Sequence, residues 1–232
     1  MHLHCLRRLA FVAITSIPLL FTCAFGQSSP TADTANVRNA PGDFDYFLLD
    51  MPWGPVFCTS IKDVSAQCRP QAGFVVHGLW PQNNNGTWPE FCSHSPGPRD
   101  LTPNLDITPD IALLQHEWAK HGTCSGLTPA EFFRAEHEAF AQIQTPTALI
   151  DLNNSRTFTP LFVLDMFYVT NPGFPPGSFS LSCKNGHVIA VEACFSKSLQ
   201  PIACQGLKTC SDQTVTFDPL RPTITSTQPA SY

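Results

Sequence analysis

The sequence predicts an α+β domain: a central antiparallel β-sheet packed with several α-helices and stapled by disulfides. Three observations carry that prediction. Short apolar runs of strand length, Phe44 to Met51 and Gly73 to Trp80, punctuate a loop-rich chain. Two helix-start signals, Thr108-Pro109-Asp110 and Thr128-Pro129 with Glu131, precede segments of helical pattern. Eight cysteines (Cys58, Cys68, Cys92, Cys124, Cys183, Cys194, Cys204 and Cys210) remain once a leader is set aside, with no Cys-x-x-Cys pair among them. An even number in an exported chain reads as four bridges rather than a thiolate metal or redox site.

The leader is residues 1–26, a signal peptide. Arg7-Arg8 is its basic start, Leu9 to Phe21 its apolar run, and Ala24-Phe25-Gly26 its small-x-small cleavage site. The run is too short and wrongly flanked for a stable transmembrane helix. The prediction is a secreted or periplasmic protein with no membrane attachment after cleavage. Residues 27–41 read as a flexible N-terminal segment, 42–220 as one catalytic domain, and 221–232 as a flexible Pro- and Thr-rich tail. Without Arg7 and Arg8 the 13 basic residues fall to 11 against 18 acidic ones, about −7 in all. That balance excludes a protein that holds nucleic acid by a broad basic surface. A polyanion would be met locally, or at a pH where histidines are charged.

Taken in order, Phe44 to Met51 (FDYFLLDM) suits a buried strand, and Cys58 and Cys68 bracket a loop. Gly73 to Trp80 (GFVVHGLW) reads as a second buried strand, stopped by Pro81, with His77 and Trp80 at its end. Gln82 to Pro109 is loop, dense in Asn, Gly and Pro. A helix follows over Ile111 to His121, and another from Thr128 to about Ile143. Thr157 to Val169 is ambiguous between helix and strand. Ser178 to Lys184 and Val188 to Phe195 form a hairpin around Asn185-Gly186, and Thr214 to Phe217 is a last short strand.

The chemistry concentrates in His116-Glu117-Trp118-Ala119-Lys120-His121-Gly122-Thr123-Cys124. At about 100° per residue from His116, Lys120 lies at about 40°, Glu117 at about 100° and His121 at about 140°. The four share one side, leaving Trp118 and Ala119 for the interior. His116 with Lys120, and Glu117 with His121, are i,i+4 neighbours. Gly122 is placed to end the helix. Two imidazoles, a carboxylate and an ammonium are the equipment for proton transfer beside an anion. Zinc does not suit the patch, because the metalloprotease pattern needs histidines four apart and these are five apart.

FVVHGLWP (Phe74 to Pro81) and HEWAKHGTC together resemble the two active-site segments of the ribonuclease T2 family. DMPWGPVFC (Asp50 to Cys58) is similar to that family's early Trp-Pro-rich segment, and LTPAEFFRAEHEAFAQI to the helix after its second active-site segment. The resemblance implies bridges 58–68, 92–124, 183–210 and 194–204. It implies a low-specificity endoribonuclease acting on single-stranded RNA, without metal or cofactor, as a monomer that leaves DNA alone. Attack by the ribose 2′-OH would give a 2′,3′-cyclic phosphate, then a 3′-phosphate. In that assignment His121 is the base, His77 the acid and His116 a phosphate ligand. Glu117 and Lys120 stabilise the phosphorane, and Trp80 packs beside ribose or base.

Two departures make base preference unreadable. Leu113, Leu114 and Gln115 stand where family members often carry aromatics, and Gln82 follows HGLWP where a more typical acidic or amide base contact is looked for. Simpler readings compete. His77 in an apolar strand could be a core histidine, and the helix patch an ordinary solvated face; neither accounts for both segments. His94, His137 and His187 match no motif and read as structural. The alternative function is a catalytically silent RNA- or protein-binding member of the same fold. Loss of a catalytic histidine would mark it, and all three are present.

Overall fold

The computed structural model describes residues 39–56 and 73–220. The leader, most of the N-terminal segment, the Cys58/Cys68 loop and the tail fall outside these residues. Strand β1 (Tyr46–Pro52) is buried along its whole length, because it lies between β2 (Gly78–Gln82) and β5 (His187–Phe195) in the sheet. Its residues alternate between two faces. Phe47, Leu49 and Met51 join the main core with Leu114, Trp118, Phe132, Val163 and Phe167 from the helices. Tyr46 and Leu48 join a smaller cluster with Trp80, Cys194 and Leu207. Asp50 breaks the apolar pattern of that second face, opposite Gly78 on β2 and Glu192 on β5.

The sheet order is β2-β1-β5-β6-β3, with β4 (Phe179–Lys184) paired to β5 off this path, β3 being Arg156–Phe158 and β6 Val215–Phe217. All pairings are antiparallel except a single parallel contact between β5 and β6 at His187 and Thr216. The β4–β5 hairpin turns at Asn185-Gly186, φ +54° and +78°, the two left-handed positions that such a turn requires.

The strand containing Trp80 differs from its sequence prediction. Pro81 does not stop it: β2 begins only at Gly78 and runs through Pro81 to Gln82, with Pro81 opposite Phe47. β2 is an edge strand, where a missing N–H costs no ladder bond. The ambiguous Thr157 to Val169 segment divides. Thr157 and Phe158 belong to β3, and Thr159 caps a helix with Pro160 at its first position.

Among the described residues, three α-helices follow from their caps. Helix α1 (Ile111–Lys120) starts on Asp110, whose carboxylate accepts from the Ala112 and Leu113 amides. Helix α2 (Pro129–Ala141) has a complete capping box between Thr128 and Glu131. Helix α3 is Pro160–Thr170. The buried stripe of α1 is Leu114, Glu117 and Trp118, continuing into His121. Ala119, placed inward by the sequence, is exposed, so the buried arc is centred on Glu117 and Trp118 rather than on Trp118 and Ala119. Gly122 follows the His121 C-cap without a left-handed φ. It is glycine for another reason: a Cβ there would overlap the Trp118 ring. Bridges Cys92–Cys124, Cys183–Cys210 and Cys194–Cys204 are formed as the resemblance implies; Cys58 and Cys68 lie outside the described residues.

One core residue works against burial. Glu136 of α2 is 1% exposed and its Oε2 has no hydrogen-bond partner among the described residues. Thr108 Oγ donates to Val76 O at 2.9 Å and lies 3.4 Å from Glu136 Oε1. Burial, with the Glu117 charge, pushes the Glu136 carboxyl up to about 8, against the Thr108 contact. A carboxyl raised above its unfolded value costs stability once pH exceeds the unfolded value, and the cost grows until the folded value is passed. Replacing it with Gln removes that titration. Glu136→Gln is predicted to raise Tm by a few degrees at pH 8 and hardly at all at pH 4.5. Melting curves across this range check it, and parallel curves for the two proteins would reject the assignment.

Candidate active site

At the β2 edge, where α1 ends against the sheet, a cavity of about 360 Å³ is lined by His77, Trp80, Trp88, His116, Glu117, Lys120 and His121, with Leu48, Gln82 and Leu207. The structure therefore brings together every catalytic and substrate-binding residue read from the sequence. His77 arrives from the residue before β2, Trp80 from β2, and the other four from α1 and its C-cap.

The centre of the site is Glu117, 1% exposed. Its Oε2 accepts from Trp80 Nε1 at 2.7 Å, and its Oε1 lies 3.3 Å from His77 Nε2. The carboxylate can come this close to β2 only because residue 78 is glycine. A Cβ there would overlap both Glu117 Oε2 and Trp80 Nε1. Burial alone would raise the Glu117 carboxyl, but the His77 and His121 imidazoles and the Trp80 N–H outweigh it and hold it below the usual value.

The Trp80 indole separates the two imidazoles. It stacks on His121 with centroids 5.2 Å apart at 28°, and meets His77 edge-on at 5.1 Å. The imidazoles are driven in opposite directions. Burial lowers His77, but hydrogen bonds to Asp50 and Glu117 and their charges more than reverse this, taking it up to about 10. His121 is 4% exposed, its Nδ1 has no partner among the described residues, and burial takes it down to about 4 despite the Glu117 charge. At neutral pH the first is an imidazolium and the second a neutral imidazole, an acid and a base side by side.

The i,i+4 pairings read along α1 are not the ones the fold uses. Glu117 turns to β2, and Lys120 Nζ pairs with Glu90 Oε1 at 3.1 Å. Glu90 also accepts from Trp88 Nε1 at 2.7 Å, which is the first cause of its lowered carboxyl, ahead of Lys120. His116 lies exposed at the cavity rim. His137 and His187 sit elsewhere, on Asp106 and Asp218.

Three residues near the cavity escaped the sequence reading. Trp88 is 47% exposed at its mouth, although an aromatic inside the polar run NNNGTWPE was a signal. Glu90 had none. Asp50, 3.1 Å from His77 Nδ1, stands out only as an acid in an apolar strand.

An α+β domain that assembles two imidazoles, a carboxylate and an ammonium at one sheet edge defines a site equipped for acid–base chemistry on a phosphate ester. The chain belongs to the ribonuclease T2 family, whose model matches residues 44–204. It is 29% identical over 212 residues to ribonuclease DdI of Dictyostelium discoideum, covering 82% of this chain and 91% of that one. Matches to other curated ribonucleases, such as that of Aeromonas hydrophila at 32% identity, span about half of those chains, 55% in this case, and 51% of this one. Among solved structures, trichomaglin, described as an S-like ribonuclease, superposes with a TM-score of 0.64 at 20% identity, covering 78% of this chain and 100% of that one. A mutant of ribonuclease MC1 in complex with 5′-UMP gives 0.61 at 24%, covering 74% and 97%.

The Gly78 contact generates a prediction. Gly78→Ala displaces Glu117 or Trp80, and a misplacement near 1 Å lowers turnover about 100-fold. Steady-state cleavage beside circular dichroism checks it. A folded variant with unchanged kcat/KM would show that this close approach is dispensable.

Proposed function

We propose that this chain is an exported, metal-independent endoribonuclease that cleaves single-stranded RNA with low base specificity, using the ribose 2′-OH as nucleophile. The observation that carries this reading is the placement of two imidazoles beside Trp80 in one cavity, His77 between the Asp50 and Glu117 carboxylates and His121 buried against the indole face. His121, held neutral, takes the 2′-OH proton as the 2′-oxygen attacks phosphorus. His77, held charged, gives its proton to the 5′-oxygen as the P–O5′ bond breaks. The products are a 2′,3′-cyclic phosphate and a 5′-OH. Hydrolysis to a 3′-phosphate then follows with the histidine roles exchanged.

The phosphorane gathers negative charge beside His116 and Lys120. Lys120 leaves Glu90 for the substrate phosphate, while Glu117 orients His77. The exposed Trp88 face offers a base a stacking platform that does not distinguish sequence. A mononucleotide bound to ribonuclease MC1 supports a nucleotide-sized site in this fold. Among the described residues no helix is long and apolar enough to cross a membrane, and export rests on the leader read from residues 1–26.

The test is cleavage of a short RNA in EDTA beside its 2′-deoxy analogue, with product ends read by mass spectrometry. RNA alone is cut, cyclic phosphate appears, and His121→Ala loses at least about 100-fold in rate. Equal cleavage of DNA, or loss in EDTA, would overturn the mechanism. The pH profile follows from the imidazoles: kcat/KM rises as His121 loses its proton above about 4 and falls as His77 loses its own towards about 10. Trp88→Ala is predicted to raise KM about 10-fold with kcat little changed, by loss of ~1–3 kcal/mol of stacking. An unchanged KM would remove Trp88 from the substrate site.

A further inference from the structure

We infer that Asp50 is a positioning residue for His77, fixing the imidazole through Nδ1 so that Nε2 is the atom that meets the leaving oxygen. The inference rests on the reading of His77 as the acid. Asp50 holds His77 twice. Its backbone carbonyl accepts from the His77 amide at 2.9 Å, and its Oδ2 accepts from Nδ1 at 3.1 Å. The first bond sets where the residue sits and the second sets the rotation of the ring. With Nδ1 committed, the second ring proton is on Nε2, on the side of Glu117 and the cavity. A ring whose Nδ1 is not held can turn over and present either N–H, and only one of those geometries is productive.

Asp50 reaches this position through the sheet register. It is 7% exposed in the central strand, on the face of Tyr46 and Leu48. A buried carboxylate in a central strand is costly unless it is paired, and His77 is the pairing. The surroundings restrict other partners. Glu192, directly across on β5, is pushed up to about 7 by burial and by the Asp50 charge. Below that pH it holds a proton and adds no charge against Asp50. Among the described residues, the charged groups that face His77 are Asp50 from β1 and Glu117 from α1. Glu136 of α2 and His121 at the α1 C-cap act on it at longer range. Two carboxylates flanking one ring keep it protonated, but they divide the labour: Asp50 takes the nitrogen turned into the sheet, and Glu117 meets the one that faces substrate.

The experiment compares two substrates in each variant. A dinucleoside phosphate expels a 5′-alkoxide and needs the acid; a uridine 3′-(4-nitrophenyl phosphate) expels 4-nitrophenolate, which departs unaided. Wild type, Asp50→Asn, Asp50→Ala and His77→Ala are assayed on both across pH. Asp50→Asn is expected to lose about 10- to 100-fold on the dinucleotide and under about 3-fold on the nitrophenyl ester, with the alkaline limb moved to lower pH. Asp50→Ala, which loses the acceptor as well as the charge, falls further on the dinucleotide. Retained ester cleavage shows within the same sample that the variant is folded. Equal loss on both substrates, or no loss on either, would overturn the role of Asp50. If His77→Ala itself loses equally on both, the acid assignment fails instead, which is a separate result.

Discussion

Glu117 is the contact on which the active site depends. A carboxylate with 1% exposure is tolerable only when its oxygens are occupied, and here Trp80 and His77 occupy them. The consequence runs in both directions. The pair of bonds fastens the end of α1 to the edge strand, and it fixes the Trp80 and His77 rings in the cavity. A helix and a strand whose bonded residues stand 37 apart in the chain are thereby held in register. Gly78 makes the registration possible by leaving room for the carboxylate.

The electrostatics follow from that registration. His77 is flanked by carboxylates on both nitrogens, whereas His121 is enclosed by the Trp80 face and has Lys120 nearby. The same side-chain type is thus charged in one place and neutral a few ångströms away, and the difference is environment alone. A net-acidic protein can act on a polyanion in this way, since the positive charge that matters is confined to the cavity.

Much of this was legible in the sequence because it is local. The caps at Asp110 and Thr128, the Asn185-Gly186 turn and the clustering of His116 to His121 are set by neighbours within five residues. What was not legible depends on pairing across the fold. Pro81 looked like a stop because nothing in the chain says that β2 is an edge. The helical wheel gave the spacing of the α1 residues but no absolute direction, so Ala119 was turned inward and Glu117 outward. Asp50 lies 27 residues before His77, and only the β1–β2 register brings them together. Glu90 gains its role from Lys120, 30 positions on, across a loop held by the Cys92–Cys124 bridge.

That bridge has a consequence for how the cavity is held. The segment bearing Trp88 and Glu90 leaves β2 at Gln82 and is clamped again where Phe91 N bonds Lys120 O and Cys92 joins Cys124. The nine residues between Gln82 and Cys92 place no imidazole in the cavity, and Glu90 acts on His121 only through its charge. The mouth of the cavity and its floor therefore have separate supports: Trp88 and Glu90 hang on a loop tied at both ends, and the imidazoles beneath are held by the sheet and α1.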